Sequence, residues 1–436
     1  MTSASTAVVL SIGEELLDGR VQDLNASFLA TQLQRLGLRV IGVRTIGDQP
    51  GEMQTVLSEL DGRVDVIVSS GGLGPTADDR VRSEVADFLQ QPLDEIDGAL
   101  DELQSIYQRV RPGQNAPSFF LDQGRIPRGC EELANPAGTA WGFLARLPKS
   151  SCYVAHPGPP RECQTVWKQA AKSQLITALG SVSELAYGLF HTASIPESGV
   201  EEKVRDLLRL GGNPRMGITA RGKQVTLSVL ARGEGDLSAE QVLQRMAKTL
   251  EQRLHPWLWG RDEETLQGVI VEELLHRKQC LAIAESCTGG RLAGAITSVP
   301  GSSQVFQYGW VCYANRAKAD ELGVSLELTE GIGGPGAVSA EVALAMASGA
   351  RKQANADWGI GITGIAGPGG GTEAKPVGTV WIGLSGPSTE LATLRHQWTR
   401  AGRQGVQQGS VRDALEILRR TLLQLPALPN QAHKVG

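Results

Sequence analysis

The sequence predicts an α/β protein in which two α/β domains with mainly parallel sheets are joined by a small α+β domain. The chain has 436 residues, which is enough for roughly three domains. Short β-rich runs alternate with amphipathic helical patterns at both ends of the chain, and such alternation produces βαβ units with parallel strands. Between them lies a segment whose strand and helix patterns are not separated by Gly-rich turns.

The first predicted domain spans residues 1–172. Continuous apolar runs indicate buried strands, and apolar residues at helical spacing indicate the helices that cover them. The predicted order is strand Thr6–Ile12, helix Asn25–Leu36, strand Leu38–Thr45, helix Glu52–Leu60, strand Val64–Ser69 and a helix from about Asp79 to Leu89. A looser Pro- and Gly-rich stretch then contains two further short strands, Trp141–Arg146 and Ser151–Ala155.

The middle domain is predicted over residues 173–260. Its elements are strand Tyr187–Ala193, helix Ser198–Leu210, strands Met216–Thr219 and Gln224–Ala231, and a long helix, Ser238–Leu254. The residues Gly260–Glu264 are predicted to form a linker.

The third domain, predicted over residues 261–425, returns to α/β periodicity. Its predicted order is helix Thr265–Arg277, strand Cys280–Glu285, helix Gly290–Thr297, strand Gln304–Tyr313, helices Asn315–Leu322 and Ser339–Gln353, strands Trp358–Thr363, Gly378–Leu384 and Leu391–Trp398, and helix Gly402–Leu425. Residues 426–436 are predicted to be a disordered tail.

Composition argues against several classes of protein. The 42 basic and 47 acidic residues give a net charge of −5, so a broad nucleic-acid-binding surface is not expected. No apolar run approaches the roughly 18–20 residues that span a bilayer. No Lys or Arg precedes the apolar run Ala7–Leu10, so a secretory signal is not supported. The six cysteines form no CxxC pair, which argues against structural zinc and disulfides. We expect a soluble cytoplasmic protein without a membrane partner.

A Gly-rich turn follows the buried strand Val64–Ser69. It reads Gly71-Gly72-Leu73-Gly74-Pro75-Thr76-Ala77-Asp78-Asp79 and opens a helix. Glycines at such a turn let backbone N–H groups face an anion, and the paired carboxylates suit a hard divalent cation held against phosphate oxygens. A tight turn capped by an Asp explains the same residues, and the pattern alone does not decide between the two.

Four motifs in order make this part of the chain resemble the molybdopterin-binding-like domain of CinA proteins. The Gly-rich turn is one of them. The others are Ser11–Arg20 with Asn25, Asn135–Ala140, and Pro157–Glu162. The chain departs from the family pattern at Trp141 and at His156, and we interpret His156 as a residue that packs the loop.

This resemblance implies metal-dependent hydrolysis of ADP-ribose to AMP and ribose 5-phosphate. The implied cofactor is a divalent ion such as Mg²⁺, with a monovalent cation as a further candidate, and the implied metal ligands are Glu15, Asp78 and Asp79. The implied substrate-binding residues are Gly71, Gly72, Gly74, Thr76, Asn135, Gly138 and Thr139. A metal and N–H donors suit this reaction because both offset the charge on a cleaved pyrophosphate.

A second Gly-rich turn follows the predicted strand Cys280–Glu285 and reads Ser286-Cys287-Thr288-Gly289-Gly290-Arg291. A Ser at the carboxyl end of a parallel strand projects its hydroxyl into the crevice where α/β proteins bind ligands. An N-cap Ser explains the same position. Cys287 is an alternative nucleophile, but a single Cys without a partnered His is more often a small core residue.

Three further motifs extend this turn into a resemblance to the C-terminal CinA domain, which is the nicotinamide-nucleotide amidase group. They are Tyr313–Lys318, Gly361–Pro368 and Lys375–Gly378. The resemblance covers about residues 265–425. It implies hydrolysis of nicotinamide mononucleotide to nicotinate mononucleotide and ammonia, without a cofactor.

The roles carried over from that family form a Ser/Lys dyad. Ser286 is the nucleophile, Lys318 is its base, and Tyr313 relays protons or holds the amide. A buried Lys loses its proton near neutral pH because desolvation disfavours the charged form. A solvated helix lysine is the alternative for Lys318. The implied substrate-binding residues are Thr288, Gly289, Gly290, Asn315, Thr363, Gly364 and Gly367.

The middle segment resembles a KH-type domain, a fold that often binds RNA. RNA-binding KH domains clamp the backbone with a GXXG loop, which residues 184–259 lack, and their ten basic and nine acidic residues nearly balance. We therefore expect a structural bridge that helps form a homodimer and does not bind nucleic acid. The rival function for the whole chain is a molybdopterin- or nucleotide-binding scaffold linked to competence or DNA repair, with little turnover.

Overall fold

The computed structural model describes residues 5–180, 185–208, 212–221, 224–395 and 402–427. The chain forms two compact units, residues 1–187 with 230–243 and residues 188–229 with 244–436. Helices alternate with strands in both, which confirms the predicted α/β class. Among the helices of these residues, none is long and apolar enough to cross a membrane.

The N-terminal part holds a six-stranded sheet and a small two-stranded one. Its strands are β1 (Thr6–Ile12), β2 (Arg39–Ile46), β3 (Val66–Ser70), β4 (Leu93–Glu95), β5 (Arg125–Pro127), β6 (Glu131–Leu133), β7 (Gly142–Arg146) and β8 (Cys152–His156). Its helices are α1 (Glu14–Leu17), α2 (Asn25–Arg35), α3 (Glu52–Leu60), α4 (Val81–Leu89), α5 (Ala99–Val110), α6 (Ser118–Leu121), α7 (Pro160–Val166) and α8 (Lys172–Leu179).

The larger sheet has the order β2–β1–β3–β8–β7–β6. Strands β2, β1, β3 and β8 run parallel, and β7 and β6 add antiparallel pairs at one side, so this sheet is mainly parallel as predicted. The packing of strand β1 shows why this sheet is stable. Val8 and Leu10 pack into one apolar cluster, and Ala7 and Val9 into another on the opposite face. Burial of each Val or Leu contributes about 1.5–3 kcal/mol.

The middle segment forms a four-stranded sheet with the order β10–β11–β9–β12. Its elements are β9 (Leu185–Ala193), α9 (Glu197–Val204), β10 (Arg215–Arg221), β11 (Gln224–Arg232), α10 (Ala239–Leu254) and β12 (Leu258–Arg261). The predicted linker Gly260–Glu264 is therefore wrong at its start, because Gly260 and Arg261 belong to β12 and pair antiparallel with β9. Residues 209–210 of the predicted helix Ser198–Leu210 lie outside the described residues.

The C-terminal part is built on a five-stranded sheet with the order β14–β13–β15–β16–β17. Its strands are β13 (Leu281–Glu285), β14 (Phe306–Val311), β15 (Trp358–Gly364), β16 (Val380–Gly386) and β17 (Thr389–Arg395). Its helices are α11 (Leu266–Arg277), α12 (Arg291–Thr297), α13 (Asn315–Leu322), α14 (Leu326–Glu330), α15 (Ala340–Gln353) and α16 (Gly402–Leu422). Residues 396–398 of the predicted last strand and 428–436 of the predicted tail lie outside the described residues.

This sheet is mixed, whereas the sequence predicted mainly parallel strands. Strand β13 pairs parallel with β14 and β15, but β15, β16 and β17 pair antiparallel. Only two residues separate β16 from β17. A parallel crossover needs a dozen or more residues, so this connection permits only an antiparallel hairpin between β16 and β17.

Candidate active sites

The turn after β3 lines a cavity of about 490 Å³ at the carboxyl ends of the parallel strands. Gly71 has a φ of +110°, and a Cβ there would clash with the carbonyl of Ile12, so this position requires glycine. The N–H of Gly71 donates to the carbonyl of His156 at 3.1 Å. This group is therefore not free to bind an anion. The N–H groups from Gly72 to Gly74 remain as donors to an anion.

Most of the predicted N-terminal site residues line this cavity together. They are Glu15, Gly71, Gly72, Gly74, Thr76, Asp78, Asp79 and Thr139. Asn135 and Gly138 do not line the cavity. It is also lined by three residues that the sequence analysis did not select: Asp23, Asn25 and Glu162.

Asp79 closes the turn. Its Oδ2 accepts hydrogen bonds from the backbone N–H of Thr76 at 2.9 Å and from the Thr76 hydroxyl at 2.5 Å. A Cβ on Gly74 would lie 2.5 Å from the same oxygen. The Asp-capped turn weighed as an alternative is thus present, and it coexists with a cavity that the adjacent Asp78 also lines.

The predicted metal ligands do not form a preorganised cluster. Within the described residues, no three His, Cys, Asp or Glu side chains come close enough to hold a metal ion. Mg²⁺ usually takes only one or two protein carboxylates and completes its shell with water and substrate phosphate. Asp78 and Glu15 line the same cavity and fit such a site, while one oxygen of Asp79 is committed to Thr76.

Asn135 is hydrogen-bonded within the protein, and its assignment as a substrate ligand stays a prediction. Its Nδ2 donates to the carbonyl of Ala140 at 3.0 Å and to Glu162 Oε2 at 2.6 Å, and its Oδ1 accepts from the N–H of Ala137 at 3.2 Å. Gly138 is needed because a Cβ there would collide with the Glu162 carboxylate. Both residues therefore position Glu162, which faces the cavity.

Asn25 is a further candidate that the sequence motif contained but did not single out. Its Nδ2 donates to Ser70 Oγ at 2.6 Å and to the carbonyl of Gly158. Its Oδ1 is buried and accepts no hydrogen bond from the described residues. A buried acceptor without a donor is costly, so this oxygen beside the cavity is suited to a ligand hydroxyl.

His156 is a packing residue in this structure. The side chain is fully buried at the end of β8, its Nδ1 lies 3.3 Å from the carbonyl of Ser69, and its ring contacts Trp167 at a centroid distance of 5.9 Å. Burial lowers its pKa to about 4, so the imidazole is neutral at neutral pH. It does not line the cavity.

In the C-terminal part, Glu285 organises the turn that carries Ser286. Glu285 is the last residue of β13 and is fully buried. Its carboxylate accepts from the backbone N–H groups of Gly290 at 3.2 Å, Leu292 at 3.1 Å and Ala293 at 2.8 Å. Glu285 therefore caps α12, and the N-cap alternative for Ser286 is wrong. These three N–H groups are also not available to a substrate.

Ser286 itself is 8 % exposed, and its backbone N–H donates to the carbonyl of Ile362 at 3.0 Å. This bond joins the turn to β15. The neighbouring thiol of Cys287 is buried, and burial raises its pKa to about 12. A thiol that holds its proton at neutral pH is a poor nucleophile, which favours Ser286 over Cys287.

Lys318 is buried on α13, with 2 % of its surface exposed, so the solvated-lysine alternative is wrong. Its Nζ lies 3.5 Å from the backbone carbonyl of Tyr313, to which it donates. Burial lowers the pKa of Lys318, and the nearby thiols of Cys312 and Cys287 oppose this shift. Tyr313 follows Cys312, whose backbone N–H donates to the carbonyl of Glu285 at 2.8 Å. Because Ser286 follows Glu285, these contacts bring Lys318 toward the turn that carries the predicted nucleophile.

Two residues of α16 bind the loops of this site and were not indicated by the sequence patterns. Arg403 Nη1 donates to the carbonyl of Gly367 at 2.8 Å, and Nη2 donates to the Tyr313 hydroxyl at 3.1 Å. Gln407 Nε2 donates to the carbonyl of Cys287 at 2.9 Å. The spacing of four places both side chains on one helix face. That spacing was the available signal, but it is also typical of a solvated helix face.

The remaining predicted residues fall into three groups. Thr363 is committed to the fold, because its hydroxyl donates to the carbonyl of Ala337 at 2.7 Å, and Gly364 makes room for the backbone of Thr379. Gly289 faces open space, and the Thr288 hydroxyl is buried without a hydrogen-bond partner among the described residues. The others lie on the surrounding turns and helix start: Gly290, Asn315 and Gly367.

Three family models match the chain in order. Residues 8–177 match a probable molybdopterin binding domain, residues 189–260 match the damage-inducible protein CinA KH domain, and residues 263–422 match the CinA C-terminal domain.

Relatives align with nearly the full length of the chain. A CinA-like protein of Prochlorococcus marinus strain MIT 9301 is 36% identical over 95% of this chain and 97% of its own. A CinA-like protein of Desulfovibrio desulfuricans is 37% identical over 96% of this chain and 97% of its own. A crystal structure of competence/damage inducible protein CihA from Agrobacterium tumefaciens is 40% identical over 36% of this chain and 94% of its own, with a TM-score of 0.35. With three domain models in order and end-to-end relatives, the chain belongs to the CinA family.

Proposed function

We propose that the protein is a bifunctional hydrolase of pyridine-nucleotide salvage. Its C-terminal part deamidates nicotinamide mononucleotide to nicotinate mononucleotide and ammonia, and its N-terminal cavity hydrolyses ADP-ribose to AMP and ribose 5-phosphate. The observation that carries the proposal is the buried Lys318, whose pKa is lowered by desolvation, beside the turn that presents Ser286. A lysine whose pKa is lowered gives up its proton more readily, and such an amine near a serine hydroxyl can activate the nucleophile without a metal.

In the amidase reaction, the Ser286 hydroxyl attacks the carboxamide carbon while the neutral Lys318 amine takes its proton. The resulting ammonium returns that proton to the leaving amide nitrogen, so ammonia departs and an acyl-enzyme forms. Water then attacks the ester, Lys318 accepts the water proton, and the same proton restores the Ser286 hydroxyl as nicotinate mononucleotide leaves. Glu285 supports these steps by fixing the turn through its three backbone hydrogen bonds.

Arg403 is the residue we assign to the nucleotide phosphate. It is exposed, and its contacts with Gly367 and Tyr313 use two of the five N–H donors of a guanidinium. The remaining donors suit a phosphate, which guanidinium groups bind in a bidentate manner. The Tyr313 hydroxyl accepts a hydrogen bond from Arg403, so in this proposal it lies beside the phosphate.

In the N-terminal cavity, the N–H groups from Gly72 to Gly74 would face the pyrophosphate. A divalent cation would be held by Asp78 and Glu15 together with substrate oxygens, and it would supply charge neutralisation of the departing phosphate. Asn25 Oδ1 accepts a ribose hydroxyl, and Glu162, held by Asn135, orients the attacking water.

A second candidate is a molybdopterin- or nucleotide-binding scaffold with little turnover. The observation in its favour is that residues 8–177 match a probable molybdopterin binding domain. Two assays on the purified full-length chain separate the candidates: ammonia release from nicotinamide mononucleotide, and AMP release from ADP-ribose with Mg²⁺. Turnover in both supports the hydrolase, and binding without turnover in either supports the scaffold.

A further inference from the structure

The oxyanion formed in an amidase reaction needs hydrogen-bond donors, and most backbone N–H groups around Ser286 are already bonded. When a serine attacks a carboxamide, negative charge develops on the carbonyl oxygen, and donors aimed at that oxygen stabilise the transition state. The N–H groups that donate within the protein are those of Ser286, Gly289, Gly290, Arg291, Leu292 and Ala293. These groups are not available to a substrate.

Two N–H groups of residues 286–293 remain, and they belong to Cys287 and Thr288. Neither donates to an oxygen in the part of the chain that the structure describes. Thr288 has no exposed surface, whereas Cys287 is 4 % exposed beside Ser286. At a strand-to-helix turn, the N–H of the residue after a nucleophilic serine is a known kind of oxyanion donor. The N–H of Cys287 is therefore the donor that this turn offers, and replacement of the thiol leaves it in place.

The peptide that follows Cys287 is held by a side chain. The carbonyl of Ser286 accepts from the N–H of Gly289 at 3.2 Å, so residues 286–289 form a β-turn, and its central peptide follows Cys287. The orientation of the central peptide distinguishes type I from type II turns. Gln407 Nε2 donates to the carbonyl of this peptide at 2.9 Å, and no other described residue bonds to that carbonyl. The orientation of the central peptide therefore depends on Gln407.

Gln407 is well placed to hold this peptide. It is 6 % exposed on α16, and Arg403, one helical turn earlier, bonds to two loops of the same site. A buried carbonyl that loses its donor is destabilised, so loss of this bond is costly in the folded chain. Glu285, Arg403 and Lys318 are the charged side chains that act on Cys287. The neutral amide of Gln407 holds the carbonyl without adding a further charge beside the lysine amine.

We propose that Gln407 is a positioning residue of the amidase site: by holding the carbonyl of Cys287, it keeps the N–H of that residue directed at the oxyanion that forms on attack by Ser286. This inference rests on the proposed amidase function. Gln407 acts through the turn and not on the substrate itself, so its loss should leave substrate binding largely intact. A misplacement of about 1 Å in a catalytic group can lower the rate roughly 100-fold.

The test compares three variants of the full chain by steady-state ammonia release from nicotinamide mononucleotide. Gln407→Met keeps the length of the side chain and removes the donor. Gln407→Glu places an acceptor against the carbonyl while the carboxyl is ionised, and a donor once it is protonated. Gln408→Glu is the matched control, because Gln408 is the exposed neighbour on α16 and undergoes the same change of charge. Circular dichroism checks the folding of each variant.

We expect a change in kcat rather than in KM. At about pH 8, kcat should fall roughly 10- to 100-fold in both Gln407 variants, with KM close to that of the parent chain, and Gln408→Glu should match the parent in both. Toward about pH 6, kcat relative to the parent should recover in Gln407→Glu, because burial raises the pKa of a carboxyl and its protonated form donates again. Gln407→Met has the same titrating neighbours and should show no recovery.

Four results would overturn the positioning role. They are a parent-like kcat in Gln407→Met, a raised KM at constant kcat in that variant, an equal loss in Gln408→Glu, and a loss in Gln407→Glu that stays constant with pH.

A fluorophosphonate probe separates this proposal from the choice of substrate. In its reaction the Ser286 oxygen bonds to phosphorus, fluoride leaves, and Lys318 takes the serine proton, and mass spectrometry follows the labelling rate. Slower labelling in both Gln407 variants, with no ammonia from the parent chain, would retain the positioning role and remove nicotinamide mononucleotide as the substrate. Ammonia release that is equal in the parent and the Gln407 variants would retain the amidase and remove the positioning role. A parent chain that neither reacts with the probe nor releases ammonia would overturn both proposals.

Discussion

Arg403 Nη2 donates a hydrogen bond to the Tyr313 hydroxyl at 3.1 Å, across 90 residues of sequence. The same guanidinium holds the carbonyl of Gly367, so one side chain of α16 joins two loops that the family resemblance assigns to the amidase site. This contact gives Tyr313 a defined hydroxyl position although 64 % of the side chain is exposed.

Arg403→Ala should raise the KM for nicotinamide mononucleotide more than it lowers kcat, because the phosphate is remote from the reacting amide. Loss of a hydrogen bond to a charged group costs about 1.5–3 kcal/mol, which corresponds to roughly a 10- to 150-fold loss in kcat/KM. Arg316→Ala is the control, since Arg316 is an exposed arginine of α13 paired with Asp320. An unchanged KM in Arg403→Ala would exclude the phosphate assignment.

Asp78→Ala should nearly abolish AMP formation from ADP-ribose and leave ammonia release largely intact, because the carboxylate lines the N-terminal cavity and belongs to a different part of the chain from Ser286. Asp94→Ala serves as the control, since Asp94 is partly exposed and paired with Arg128. Both activities are measured on the same preparation. Full AMP formation in excess chelator would refute the metal requirement.

His156 should make the free energy of unfolding depend on pH between about 6.5 and 4. Its pKa is lowered from 6.5 to about 4 in the folded chain, so below pH 6.5 the unfolded chain binds a proton that the folded chain does not. Stability therefore falls as pH falls through this window, by about 1.4 kcal/mol per pH unit, and levels off below about pH 4.

His156→Phe removes this titration while it keeps an aromatic ring against Trp167. Urea unfolding followed by tryptophan fluorescence gives the stability of both chains at each pH. As pH falls from 6.5 to 4, the free energy of unfolding of the variant should rise by roughly 3 kcal/mol relative to that of the parent chain. A constant difference between the two chains over this range would rule out a buried neutral imidazole.

The sequence predicted the elements whose signal is local. Strands β1 and β3 are continuous apolar runs buried on both faces of the sheet, and the Gly-rich turn after β3 lies where predicted. Strand β12 was missed because four residues carry no usable period, and only their antiparallel pairing with β9 makes them a strand. The predicted strands Gly378–Leu384 and Leu391–Trp398 lie only six residues apart, so their spacing already indicated the antiparallel pairing of β16 with β17.

The residues of the two candidate sites show the same difference between local and tertiary signals. The motifs located Ser286, Lys318 and Asp78, but not the side chains that hold the turns in place. Gln407 bonds to a carbonyl 120 residues away, so its role depends on tertiary packing. Glu285 was predicted only as the last residue of a strand, and the structure shows that its carboxylate caps α12. Asn135 was assigned to substrate because its motif is shared, whereas both ends of its amide are bonded within the protein.

The central claim is the Ser286–Lys318 dyad, and steady-state ammonia release from nicotinamide mononucleotide tests it most directly. The variants are Ser286→Ala, Lys318→Met, which keeps the buried volume without the charge, their double variant, and Cys287→Ala as the control, each checked for folding by circular dichroism. Each dyad variant should lose at least about 100-fold in kcat, and the double variant little more, because a nucleophile and its base act as a unit. Cys287→Ala should keep most activity. A folded, active Ser286→Ala beside an inactive Cys287→Ala would contradict the account.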